Sequence, residues 1–195
     1  MKKFKNKKIL LSFIILFLIG LAFGLAFNFY ISDIDKTLIS KELSQYFSSI
    51  KSDLSYGEGL LNSIKTNLLY ITLIWITGVI PFLFLINYFL VFYKGFLIGF
   101  SVSSIIMLYK LKGIALSLIF LFPHEFINVF IFITLGVASI KFSKKIFNKI
   151  KNNNMVNFNK DYKNYIKIYI VFIVISVISS LLEVFFNSLL VRLVI

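Results

Sequence analysis

The chain alternates between long apolar runs and short polar or basic segments, and this pattern predicts a bundle of membrane-spanning helices. A helix needs about 20 mostly apolar residues to cross about 30 Å of hydrocarbon. The apolar runs that we expect to span cover residues 9–31, 67–92, 95–109, 113–140 and 166–190. The predicted fold class is therefore all-α: a polytopic helical membrane protein with about five transmembrane spans, forming a single integral membrane domain over residues 1–195.

The longest polar connection, residues 32–66, has apolar side chains at helical spacing, including Leu43, Phe47 and Ile50, with charged and hydroxyl residues between them. This pattern is typical of an amphipathic helix that covers one end of a membrane bundle or docks against a partner. Covering the bundle is the simpler interpretation. We expect the sequence Gly57-Glu58-Gly59 to end this segment.

The lysines indicate the orientation of the chain in the membrane. Residues 1–8 contain five lysines, and the connection 141–165 is also strongly basic. Because cytoplasmic loops carry an excess of lysine and arginine, we expect the N-terminus and residues 141–165 in the cytoplasm, with residues 32–66 outside. The net charge of +13 fits this pattern better than nucleic-acid binding, so we expect the lipid bilayer as a partner and no nucleic acid.

The most unusual polar group in the chain lies inside the apolar run 113–140. It consists of Pro123, His124, Glu125 and Asn128, and His124 is the only histidine. Proline removes a backbone donor and clashes with the preceding turn, so we expect the helix to break at Pro123. One broken crossing keeps the next basic loop in the cytoplasm, whereas a re-entrant hairpin does not. A carboxylate at membrane depth costs about 2.5–3.5 kcal/mol and therefore needs a partner or water.

A second polar stripe lies in the last span. Ser176, Ser180, Glu183 and Asn187 share one face of a helix. Such a stripe either links helices by hydrogen bonds or forms part of a transport or regulatory site. We expect Glu183, or Asn128 with Thr134, to satisfy the polar group around His124.

Small residues at a spacing of four predict close helix contacts in the membrane. The glycines that we expect at helix–helix contacts are Gly20, Gly24, Gly78, Gly95 and Gly99. Gly78 also lies close to Pro81 in the second predicted span, where we expect a kink. Lys94 follows that span, and we expect it at the inner membrane interface.

Composition changes this picture mainly by excluding classes of function. Apolar residues make up 59% of the chain and the mean hydropathy is +0.92, against about 45–50% apolar residues in soluble domains. The chain has no cysteine, which excludes disulfides and thiolate metal sites. His124-Glu125 lacks the second histidine of a zinc-protease motif, and no glycine-rich phosphate loop is present. We therefore predict a protein that is not an enzyme and has no cofactor.

Several motifs carry a resemblance to a known family. They are Trp75-Ile76-Thr77-Gly78, Lys94-Gly95-Phe96-Leu97-Ile98-Gly99-Phe100, Leu121-Phe122-Pro123-His124-Glu125, and Glu183 in the last span. In this order the chain resembles stage II sporulation protein M of endospore-forming Firmicutes, in a clostridial form. The resemblance implies a membrane scaffold for engulfment, located at the sporulation septum or in the engulfing mother-cell membrane. The implied partners are peptidoglycan-cleaving stage II sporulation proteins of the D and P type.

The chain departs from the wider family at one position. Many members carry a glutamate four or five residues beyond Pro-His, where this chain has Asn128, and Glu125 instead follows the histidine directly. The alternative function is a small permease-like transport subunit with a polar site at the broken helix. That alternative predicts that His124, Glu125 and Glu183 converge on a wet cavity.

Overall fold

The computed structural model describes the backbone of residues 2–51, 56–152 and 158–194, and the side chains of residues 7–48, 57–118, 124–152 and 158–186. Within these ranges the chain is helical and contains no strand. The helices are α1 (Lys2–Phe27), α2 (Asp33–Lys51), α3 (Tyr56–Val79), α4 (Ile86–Lys151) and α5 (Phe158–Val194), with a 3-10 turn at Leu83–Leu85. The predicted all-α fold class is confirmed.

Helix α4 consists of two antiparallel limbs joined at Lys110. This residue has φ 53° and ψ −127°, and it is the one non-helical residue within α4. The two limbs, 86–109 and 111–151, then fold back against each other. A Cβ on Gly113 would lie 2.6 Å from the carbonyl oxygen of Ile105, so glycine is needed where the limbs meet. The bundle thus contains five rods: α1, α3, the two limbs of α4, and α5.

Four segments of the described chain are long and apolar enough to cross a membrane. They are Lys7–Phe27, Leu83–Leu118, His124–Lys151 and Phe158–Phe186. The second of these segments contains the first limb of α4 and the turn at Lys110. Together with α3, these segments account for a multi-pass architecture of about five rods.

The sequence had led us to expect a break in the helix at Pro123, but the helix does not break there. The backbone is helical through Pro123, whose side chain lies outside the described residues, and the interruption of α4 lies at Lys110 instead. A proline in a membrane helix is tolerated where neighbouring helices compensate for the lost backbone bond. One face of the helix that follows is tightly packed, since Asn128 and Ile131 on it are fully buried.

Pro81, in contrast, does end a helix, and this shifts the predicted boundaries. Helix α3 runs from Tyr56 to Val79, so the sequence Gly57-Glu58-Gly59 begins a helix rather than ending one. The residue before a proline is disfavoured in the α conformation, and Ser143 Oγ donates a hydrogen bond of 2.9 Å to the Pro81 carbonyl. Residues 86–92, which we had expected to belong to the second span, therefore begin the first limb of α4. This explains why the predicted span 95–109 is short.

Glycines hold α1 against the first limb of α4. A Cβ on Gly20 would lie 2.1 Å from the carbonyl oxygen of Phe92, and a Cβ on Gly99 would lie 2.2 Å from that of Leu21. Gly24 makes an equally close approach, to Phe96. Residue numbers rise together along both helices, so the two helices are parallel. The short distances at these glycines are possible only because no side chain separates the two backbones.

The two ends of the bundle differ in charge. The lysine-rich end comprises the start of α1, the end of α4 and the start of α5, where Lys145 Nζ lies 2.5 Å from Asp161 Oδ1. Gly78 lies on the same side, since a Cβ there would come within 2.2 Å of the Tyr165 hydroxyl. At the opposite end, α2 buries Phe47 against Ile105 and Leu116, so it covers the turn of α4.

Gly99→Leu should destabilise the bundle, because the larger side chain would force α1 away from α4. Overpacking costs about 1–3 kcal/mol in well-packed interiors, and here the obstacle is backbone. Thermal unfolding of the purified protein in detergent should show a lower midpoint. The matched control is Gly59→Leu, since a Cβ on Gly59 meets nothing within 4 Å. Equal midpoints for the two variants would contradict the proposed glycine contact.

Candidate intramembrane polar site

His124 and Glu125 are neighbours in sequence but face different parts of the bundle. Consecutive residues of an α-helix point about 100° apart, and here the two side chains contact different partners. Glu125 turns towards the first limb of α4, whereas His124 turns towards Glu183 on α5. The polar group predicted from the sequence is therefore divided between two clusters.

The first cluster is an ion pair between Lys94 and Glu125. Lys94 Nζ lies 2.8 Å from Glu125 Oε1, and the two side chains are 9% and 17% exposed. The ammonium also lies 5.7 Å from the ring centre of Tyr70 and 5.6 Å from that of Phe132. Ring faces attract cations, so carboxylate and aromatic rings together replace the water that Lys94 loses.

Lys94 lies within the first limb of α4 and not at the end of a span, where the sequence had suggested it. Its location at the inner membrane interface stays a prediction. The helix that carries it begins at Ile86, which puts Lys94 about 12 Å along the rod at 1.5 Å per residue. The predicted span boundary at residues 92–95 falls within a continuous helix. Lys94 lies next to the glycine contact with α1. It is buried, and it is paired with Glu125.

The second cluster, which we call the His124 cluster, joins α3, the second limb of α4, and α5. His124 is 3% exposed, and its Nε2 lies 3.8 Å from Glu183 Oε1, an ion-pair distance that is too long for a hydrogen bond. Ser63 Oγ donates to the other carboxylate oxygen of Glu183. Ser179 Oγ donates a bond of 3.1 Å to the His124 carbonyl.

The same cluster extends along α3 and α5 through amide and hydroxyl groups. Asn67 Nδ2 donates to Ser180 Oγ at 3.1 Å. Asn128 lies on the face of His124, one turn further on, and is 1% exposed. Its amide atoms and Ser176 Oγ have no hydrogen-bond partner among the described residues. The side chain of Asn187, the last member of the predicted stripe, lies outside those residues.

Glu183, and not Thr134, therefore approaches the polar group around His124. Thr134 lines a groove between α4 and α5 nearer the lysine-rich end. The stripe of Ser180 and Glu183 on α5 faces α3 and α4, as a helix-linking role requires. Each of these contacts gives a polar group the hydrogen-bond partner that lipid cannot provide.

A third polar cluster was not predicted from the sequence. Thr77 Oγ1 donates a bond of 2.5 Å to Asn87 Oδ1, and Asn87 Nδ2 donates one of 2.7 Å to Ser139 Oγ. The three side chains are buried. They come from three rods, so no spacing connects them. A single asparagine within an apolar run was the one available signal.

These contacts define a class of protein: a multi-pass helical membrane protein whose intramembrane polar groups connect its helices. The model of the stage II sporulation protein M family matches residues 13–188, which is nearly the whole chain. The chain belongs to this family and is a sporulation-related membrane protein. Comparison with curated proteins gives no match, and neither does comparison with solved structures.

Removing one member of the Lys94–Glu125 pair should lower the free energy of unfolding far more than removing both. Lys94→Met leaves a carboxylate buried without its counter-ion, a change that costs about 3–5 kcal/mol at buried pairs. Replacing both residues, as in Lys94→Met with Glu125→Leu, should recover most of the loss. Chemical unfolding of the detergent-solubilised variants measures the difference.

Lys167→Met is the matched control, since Lys167 is an exposed lysine on α5. It should leave the unfolding curve unchanged. A double variant that is less stable than Lys94→Met alone, or a Lys94→Met protein as stable as the parent, would show that the pair does not hold the two limbs together.

Proposed function

We propose that this chain is a non-enzymatic membrane scaffold for engulfment during endospore formation. In this role it positions peptidoglycan-cleaving enzymes of the stage II sporulation D and P type at the septum. The observation that carries the proposal is the family match over residues 13–188. The all-helical membrane architecture fits a protein that organises other proteins and does not itself catalyse a reaction.

Helix α2 is the surface that we propose for docking the enzymes. It turns Phe47 into the bundle, while Ile34 and Leu38, one turn apart, remain 75% and 56% exposed. Its start is fixed, because Ser32 Oγ accepts a hydrogen bond of 3.2 Å from the Asp35 amide and so caps the helix. A fixed helix with an exposed apolar edge is suited to contact with a partner protein.

The polar clusters also support a scaffold over the permease-like alternative. A transport site needs polar groups that converge on one substrate or ion. Here Glu125 pairs with Lys94, while His124 lies near Glu183 of α5. Polar groups that each take part in a different helix–helix contact stabilise a fixed arrangement of helices. A docking platform requires such an arrangement.

We further propose that the lysine-rich end faces the cytoplasm and that α2 lies outside. The positive-inside rule carries this orientation, because the basic start of α1 and the basic end of α4 lie at one end of the bundle. The location at the septum or in the engulfing membrane follows from the proposed role in sporulation.

Changing the exposed edge of α2 should abolish recovery of the enzymes. We expect a tagged chain from sporulating cells to recover enzymes of the D and P type, and Ile34→Ser with Leu38→Ser to lose them. Polar substitution removes the apolar contact area without touching the buried Phe47. Leu61→Ser is the matched control, since Leu61 is an exposed leucine of α3. Recovery is measured by quantitative mass spectrometry.

Three results would count against the scaffold. The first is failure of the parent chain to recover either enzyme, and the second is unchanged recovery by the Ile34→Ser, Leu38→Ser variant. The third is recovery of an ATPase that is unaffected by those substitutions. A permease subunit would work with a separate ATPase, so this result would favour the permease-like alternative.

The absence of cysteine from the chain allows a direct test of orientation. Ser44→Cys on α2 should react with a membrane-impermeant maleimide in intact protoplasts. Asn152→Cys, at the end of α4, should react only after permeabilisation. Both positions are exposed, so burial does not explain a difference. The reverse pattern of labelling would invert the proposed topology.

A further inference from the structure

A groove at the lysine-rich end runs between the second limb of α4 and the start of α5. Its volume is about 480 Å³, and its walls include Thr134 and Lys145 on α4 and Asp161 and Phe172 on α5. The helices are antiparallel here, since Lys145 meets Asp161 while Phe172 packs with the buried Leu135. From residue 134 to residue 145 the groove is about 16 Å long.

The groove is polar at one end and apolar at the other. Lys141, Lys145 and Asn164 line the end at the basic surface. Val137, Ile168 and Phe172 line the part that continues into the membrane bundle. This gradient matches a molecule with an anionic head and a hydrocarbon chain.

The polar end carries an excess of positive charge. Asp161 is shared between two lysines, with Lys145 Nζ 2.5 Å and Lys149 Nζ 2.9 Å from its carboxylate oxygens. Lys141 is exposed at the groove and has no carboxylate within ion-pair distance among the described residues. One carboxylate therefore faces three lysines, and Lys141 remains available to an anion.

We propose that this groove binds an anionic phospholipid, with the phosphate at Lys141 and an acyl chain along Ile168 and Phe172. A free phosphate would use the lysines and leave the apolar part of the groove uncovered. Basic grooves between membrane helices bind anionic lipid head groups in this way, and anionic lipids accumulate at the cytoplasmic leaflet. The site lies on the opposite end of the bundle from α2, so it is separate from the docking surface proposed above.

The test uses the full chain, purified in detergent and titrated with dioleoylphosphatidylglycerol while native mass spectrometry counts bound lipid. We expect phosphatidylglycerol, which has a net negative charge, to bind about fivefold more tightly than zwitterionic phosphatidylcholine with the same acyl chains, because one lysine near an anionic lipid contributes about this factor. Lys141→Gln should remove this preference. Lys163→Gln removes the same charge from an exposed lysine of α5 outside the groove and should retain it.

Three outcomes would overturn the site. The first is a Lys141→Gln protein that does not differ from the parent. The second is an equal loss of binding in Lys163→Gln, which would indicate attraction to bulk charge. The third is glycerol 3-phosphate that displaces phosphatidylglycerol as well as unlabelled lipid does, which would identify a free phosphate as the ligand. Because the measurement is made in detergent, its result does not depend on the proposed orientation or on the enzymes of the septum.

Discussion

The ion pair between Lys94 and Glu125 is the interaction on which the arrangement of the bundle most depends. Each charge alone is costly inside a membrane, so the two limbs of α4 are held where the ammonium and the carboxylate meet at 2.8 Å. Sliding one limb past the other by a turn moves these atoms about 5.4 Å apart along the axis. The turn at Lys110 sets the direction of the limbs, and the ion pair sets their register.

The remaining helices are positioned relative to these two limbs. Backbone contacts at Gly20 and Gly99 bring α1 against the first limb, next to Lys94. The His124 cluster joins the second limb to α3 and α5. Each polar cluster connects different helices, so the polar side chains of the described residues share no single centre and instead fix α3, α4 and α5 relative to one another. That property suits a platform for partner proteins.

Features that depend on the period of a single helix could be predicted from the sequence. The all-α class, the number of rods, the separation near Lys110 and the glycines at a spacing of four all follow from local pattern. Partners on different helices could not be predicted, because no periodicity relates Lys94 to Glu125, or Asn87 to Thr77 and Ser139. This is why Lys94 had been expected at the end of a span and instead lies buried within a helix.

The two prolines show a second limit of local rules. The same residue type ends α3 at Pro81 and leaves α4 helical at Pro123. At the end of the bundle, a turn follows Pro81 and Ser143 satisfies its carbonyl. After Pro123 one face of the helix is buried, with His124 3% and Asn128 1% exposed, and packing on this face favours a continuous helix. Tertiary contacts therefore decide which proline interrupts the chain.

The most direct measurement is the time course of engulfment in sporulating cells that carry Glu183→Gln, with the amount of the protein measured in the same cells. Glutamine keeps the hydrogen-bonding capacity towards Ser63 and removes the charge. If this chain is the proposed scaffold and its intramembrane polar groups only hold the helices together, cells with normal amounts of the protein should complete engulfment at the normal rate. Normal amounts with arrested engulfment would show that the charge itself acts, as a transport function requires.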